Sequence, residues 1–154
     1  MIGFLIFSGP SEEVSLKIEL KLTKRIIENE SFIDCEVTFI NYGNDTIEMP
    51  INPEWGYKND PVANLYFDIK RLGENDEYID YQGDDNEIYT ITEGDYLLFP
   101  NKSFTNRYPL RSLYSFQKGH YKVRAVFRIN EIEYKSEWKQ FDIQSNSVYH
   151  IQKQ

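Results

Sequence analysis

The chain has 154 residues, 40% of them apolar and 16% aromatic, a length that suits one domain and a composition too hydrophobic for a disordered one. Its formal charge of −8 argues against a general nucleic-acid binder, which needs a basic face to neutralise phosphates. Cys35 is the single cysteine, which excludes an intrachain disulfide, and no run reaches the roughly 18 apolar residues of a membrane-spanning helix.

Residues 1–13 begin with Met1 to Ser8, an apolar stretch without a basic flank or a small-residue cleavage site. It reads as a first edge strand, a disordered segment, the remnant of a signal peptide, or sequence foreign to the native chain. The compartment stays open: cytoplasmic by default, secreted or envelope-bound if the N-terminus is truncated. The clearest pattern follows at Val14 to Leu22, where Val14, Leu16, Ile18, Leu20 and Leu22 alternate with polar residues. A period of two is that of a strand with one wet face; a helix would scatter these side chains around its circumference.

After a polar break at Glu28 to Ser31 the alternation resumes with Ile33, Cys35, Val37 and Phe39. Cys35 therefore reads as a buried thiol, with a nucleophile as the alternative. Asn41 to Asp45 supplies turn residues, Thr46 to Met49 a short strand, and Pro50 and Pro53 end it, since proline cannot donate to a ladder. The loop of residues 52–64 carries Trp55 and Tyr57, which read either as a plug on the end of the fold or as aromatic anchors for a partner. Leu65, Phe67 and Ile69 mark the next strand, Gly73 to Asp76 a turn, and Glu77 to Tyr81 a strand paired back onto it.

A second long loop opens at Gly83. Its Asp84, Asp85 and Glu87 belong to a stretch from Leu72 to Asn101 with nine acids and no Lys or Arg. A solvated turn explains the cluster. Calcium is the alternative, although the spacing does not match a calcium loop of about 12 residues. From Lys102 to Lys139 the balance reverses, with nine basic residues against three acids. Strands are expected at Ser103 to Leu110, at Tyr121 to Ile129, and at Glu133 to Ile143 after a turn at Asn130-Glu131. In the middle one Tyr121, Val123, Ala125, Phe127 and Ile129 face inward and Lys122, Arg124 and Arg128 outward. Val126, on the outward side, calls for partial cover there. Residues 144–154 read as a polar tail.

Seven to nine strands with no helix of three turns predict an all-β, immunoglobulin-like antiparallel β-sandwich over residues 14–143. Gly119 followed by Tyr121 places a Tyr just after a turn at the start of a central strand. In immunoglobulin-like sandwiches such a hydroxyl bonds back to upstream backbone.

Several pieces in order carry a resemblance: Phe39-Ile40-Asn41-Tyr42-Gly43, Trp55, Phe67-Asp68-Ile69, Tyr81-Gln82-Gly83, Glu93 to Leu97, Pro100 to Ser103, Leu110 with Tyr114, and Gly119-x-Tyr121-x-Val123. Over residues 14–143 the chain resembles the β-sandwich domain that precedes the catalytic domain in deuterolysin-type metallopeptidases and their bacterial relatives. The resemblance implies a fold, since the chemistry of those proteins sits in a separate zinc domain with a His-Glu-x-x-His motif. Here neither His120 nor His150 is followed by Glu, and the chain reads as the accessory module alone.

No catalytic residue, cofactor or metal ligand set is expected. The function expected is a non-enzymatic module, monomeric or weakly dimeric, that binds a protein partner through sandwich-end loops, with Trp55, Tyr57, Asp84, Asp85 and Glu87 as contact candidates. A sharper form makes it an inhibitor or antitoxin against a basic target. The alternative is a structural domain of a surface or envelope assembly.

Overall fold

Strict apolar alternation decides the architecture. The computed structural model describes residues 14–50, 55–56, 64–81, 95–110, 115–145 and 148–152; the N-terminal segment 1–13 lies outside them. Twelve strand segments are present among the described residues: β1 (Leu16–Ile27), β2 (Glu30–Asn41), β3 (Ile47–Pro50), β4 (Trp55–Gly56), β5 (Leu65–Leu72), β6 (Tyr78–Asp80), β7 (Asp95–Leu98), β8 (Ser103–Pro109), β9 (Gly119–Ile129), β10 (Ile132–Lys135), β11 (Lys139–Ser145) and β12 (Val148–Ile151).

β1 and β2 form one long hairpin in unbroken register from Leu16 opposite Asn41 to Ile27 opposite Glu30. Its turn residues Glu28 and Asn29 have φ of 50° and 67°, the two-residue geometry whose twist matches that of the strands it joins. Asn130 and Glu131, with φ of 51° and 64°, close the β9–β10 hairpin in the same way. β8 adds to the other edge of β2 and completes a three-stranded sheet.

The larger sheet has the order β12-β11-β9-β5-β4, with β10 also on β9 and β6 also on β5. β3 and β7 form a separate two-stranded ribbon. All pairings are antiparallel except the two-residue parallel contact of β4 with β5.

The two main sheets pack face to face as an all-β sandwich. Leu16, Ile18, Leu20, Ile33, Cys35, Val37 and Phe39 from the small sheet meet Leu65, Phe67, Ile69, Val123, Ala125, Phe127, Phe141 and Ile143 from the large one, all buried. Each such large aliphatic or aromatic side chain contributes about 1.5–3 kcal/mol by leaving water. Phe39 and Phe127 meet edge to face across the core at 5.0 Å between centroids.

Three features depart from the alternation. The single strand expected at Glu133 to Ile143 is divided into β10 and β11, both on the same edge of β9. The register shows why: Lys135 opposes Val126 but Lys139 opposes Val123, so β10–β11 carries one residue more than β9 over this span. The extra residue is a bulge, and Ser136 organises it. Its N–H donates to Ala125 O at 2.9 Å, while its Oγ accepts the Ala125 N–H at 2.9 Å.

The segment taken from its polarity as a tail contributes β12, which pairs with β11 from Phe141 opposite Ile151. Trp55, expected on a loop, begins β4. A two-residue strand is too short for alternation to mark.

Candidate functional site

Tyr121 lies at the corner of the sandwich. Its hydroxyl donates to the carbonyl of Gln117 at 2.7 Å, and its ring stacks on Phe141 and meets Phe116 and Tyr81 edge to face. Burial, partly offset by the Arg71 charge and the Gln117 bond, pushes its phenol above the ordinary value. Gly119 keeps the approach open, because a Cβ there would come within 2.9 Å of Arg71 Nε. That guanidinium is occupied in holding the turn, donating to Lys118 O at 2.7 Å and to Gln117 Oε1 at 3.2 Å. The corner is thus a structural assembly.

The other expected site residues do not come together in what is described. Tyr57, Asp84, Asp85 and Glu87 lie outside the described residues. Of Trp55 only the backbone is placed, opposite Leu65 on the edge of the large sheet. Cys35 is fully buried, and burial followed by the nearby Asp34 charge pushes its thiol well above the ordinary value. A thiol so placed is not a nucleophile at neutral pH.

The concentration of charged and aromatic groups falls instead on the outer face of the large sheet. Period two sends Tyr66, Asp68 and Lys70 of β5 to the same side as His120, Lys122, Arg124, Val126 and Arg128 of β9. The bulge brings the Trp138 ring onto this face. Arg124 lies 4.5 Å and Lys122 4.7 Å from its centroid, with Lys70 at 6.0 Å. Lys122 is also 4.4 Å from the centroid of Tyr78, and Arg128 lies 4.9 Å from that of Tyr66. Stacks of this kind attract through the ring quadrupole.

Carboxylates are interleaved with these cations. Two Arg124 nitrogens donate to Asp68 Oδ2 at 2.8 and 3.0 Å, Lys70 pairs with Asp80 at 3.4 Å, and Arg128 with Glu133 at 3.1 Å. Partial burial by itself would raise the Glu133 carboxyl; hydrogen bonds from Arg128 and Tyr66 and the charges of Lys135 and Arg128 outweigh it and leave it below its ordinary value. Lys122 differs from its neighbours. Among the described residues no carboxylate lies within ion-pair distance of it, and its partners are the two rings. Val126, on the same face, is completely buried.

At one end of this face Asp142 on β11 stands in register between the two histidines of the chain, opposite His120 on β9 and His150 on β12. His120 Nδ1 is 2.5 Å from Asp142 Oδ1, which also accepts from Gln152 Nε2 at 2.6 Å. A cleft of about 440 Å³ lies beside the pair, lined by Lys118, Gly119, His120, Asp142, Ile143 and Gln144. Asp142 thereby ties β11 to His120 on β9 and to Gln152 just after β12; among the described residues no group of three or more His, Cys, Asp or Glu side chains is placed to hold a metal ion.

Lys122, Arg124 and Arg128 were legible as an outward row. Trp138 was not assigned to them, although the sequence holds a signal. The inward positions shift from even numbers (Tyr134, Ser136) to odd ones (Phe141, Ile143). That change of parity requires a bulge between them, and Trp138 lies in it.

No family model matches the chain, and no curated protein matches it significantly.

Proposed function

We propose that this chain is a non-enzymatic interaction module of immunoglobulin-like type, monomeric or weakly dimeric, that binds a protein partner. The observation that carries the reading is the outer face of the large sheet. In a chain of net charge −8, it gathers Lys70, Lys122 and Arg124 around the half-buried ring of Trp138, with Arg128 over the buried ring of Tyr66. Tryptophan, tyrosine and arginine are the side chains that most often dominate protein–protein contact energy. A rigid antiparallel sheet holds them in fixed relation, as a binding surface needs. The resemblance to the accessory domain of deuterolysin-type peptidases supports the same reading, since there too the sandwich is separate from the chemistry.

The test is site-directed. A photo-activatable cross-linker is placed at Gln140, exposed on the outer face, and separately at Glu19, exposed on the small sheet. The chain is then exposed to its native cell extract. A protein captured from position 140 and not from 19, which afterwards forms a stoichiometric complex when both are purified, supports the module. Loss of that partner's own activity in the complex would establish the inhibitor or antitoxin form. Failure to form any such complex, or a turnover that co-purifies with the chain, would remove the reading.

A further inference from the structure

We infer that Lys70 and Lys122, walled by Tyr78 and Trp138, anchor a side-chain carboxylate of the protein partner, so that the surface recognises an acidic segment. The inference rests on the interaction-module reading and gives the partner's chemistry. Lys70 and Lys122 are direct cross-strand neighbours in the β5–β9 pairing. Like charges in that position repel and destabilise a sheet. The neighbouring pair in the same register, Asp68 opposite Arg124, shows the complementary arrangement. Lys70 finds partial relief in Asp80 at 3.4 Å. Among the described residues Lys122 has only aromatic faces, at 4.4 and 4.7 Å, and an ion over a ring is stabilised less than one that meets an anion in a desolvated contact.

Among the described residues the two ammonium groups therefore share a single carboxylate, that of Asp80. A carboxylate between them would accept hydrogen bonds from both, while the flanking rings exclude water and strengthen the contact. The chain as a whole is acidic, but at physiological ionic strength its distant charges are screened beyond about 8 Å, so the local pair governs a docked segment. Asp68, Asp80, Glu133 and Asp142 interrupt the cations of this face. Such spacing suits discrete carboxylates and disfavours the dense phosphates of nucleic acid or an anionic membrane.

The experiment is an NMR titration of the full chain labelled with nitrogen-15, followed at the Trp138 indole N–H. The probes are a capped oligo-glutamate peptide, its oligo-glutamine counterpart, inorganic phosphate, and vesicles of phosphatidylserine in phosphatidylcholine. The glutamate peptide should give a saturable shift that weakens with salt, and the glutamine peptide none. Lys122→Gln and Lys70→Gln should each weaken binding by roughly tenfold, as expected for one charge-assisted contact. Unmoved Val123 and Phe127 amides would show that both variants keep the fold.

A response to the glutamate peptide that survives both substitutions, or none at all, would overturn the inference. Equal binding of phosphate would make this a small-anion site, and binding of vesicles a membrane surface; either overturns it as well. A cross-linked partner that binds Lys122→Gln and Lys70→Gln as tightly as the parent would leave the module reading standing and remove only the carboxylate anchor.

Discussion

The phenol of Tyr121 reaches back four residues and donates to the carbonyl of Gln117 at 2.7 Å, tying the start of the central strand β9 to the chain that precedes it. Because the ring also stacks on Phe141 at 5.3 Å, hydroxyl and ring can be tested separately. Tyr121→Phe keeps the ring contacts and loses one hydrogen bond, so unfolding in denaturant should show a loss of about 1 kcal/mol. Tyr121→Ala opens a cavity and should lose about 3–5 kcal/mol. Equal stability of the parent and the Phe variant would mean that the corner bond contributes nothing.

The bulge between β10 and β11 depends on one hydroxyl. Ser136 Oγ accepts the Ala125 N–H at 2.9 Å and donates to Glu137 O at 3.0 Å, in a position that is buried. Ser136→Ala leaves the Ala125 N–H without its partner, which should destabilise the fold by about 1–3 kcal/mol. The loss should be local as well as global. Amide exchange at Ala125 should accelerate more than at Val123 or Phe127, and uniform acceleration along β9 would contradict the assignment of the bulge to Ser136.

Asn41 is the polar side chain on which three segments converge. It is fully buried; its Nδ2 donates to Asp45 O at 2.7 Å and to Leu98 O at 2.9 Å, while its Oδ1 accepts the Gly43 N–H at 3.0 Å. It holds the β2–β3 turn and the end of β7 against the same strand end. Asn41→Asp keeps the shape but replaces two donated bonds with a buried charge facing two carbonyls. That change should lose more stability than Asn41→Ala, about 3–5 kcal/mol at neutral pH, and should recover part of it in acid as the carboxyl takes up a proton. Thermal unfolding of both variants across pH distinguishes the outcomes. An Asp variant as stable as the Ala variant would show that water reaches the site.

Much of this fold was legible because its strands are amphipathic. Leu16, Ile18, Leu20 and Leu22 on β1, and Tyr121, Val123, Ala125 and Phe127 on β9, are buried as their spacing requires. What escaped the pattern has a common cause, namely that neighbours supply what the local sequence does not. β12 is short and borders a polar run, and its pairing with β11 is clipped by Asp142, His120 and Gln152. β4 is two residues held on the edge of β5. The cationic face was half legible, its lysines and arginines by parity, its tryptophan displaced by the bulge.

Two of the buried groups that weaken the fold in alkali are Cys35 and Tyr108. Burial pushes the Cys35 thiol well above its ordinary value of 9.0, with the Asp34 charge adding to it. Burial likewise pushes the Tyr108 phenol above its ordinary value of 10.0, a shift the hydrogen bond from Asn106 only partly offsets. In both cases the folded state holds its proton to higher pH than the unfolded chain. Their stabilising contribution is therefore complete below the unfolded values and is lost as pH rises past them towards the folded ones. Unfolding midpoints in denaturant should be level from neutral pH to about pH 8 and fall above it. Cys35→Ala should flatten the early part of that fall, and Tyr108→Phe the part that begins near pH 10. Each variant starts from a lower stability, so the slope with pH and not the midpoint carries the test. Parallel curves for parent and variants would show that neither proton is retained by the fold.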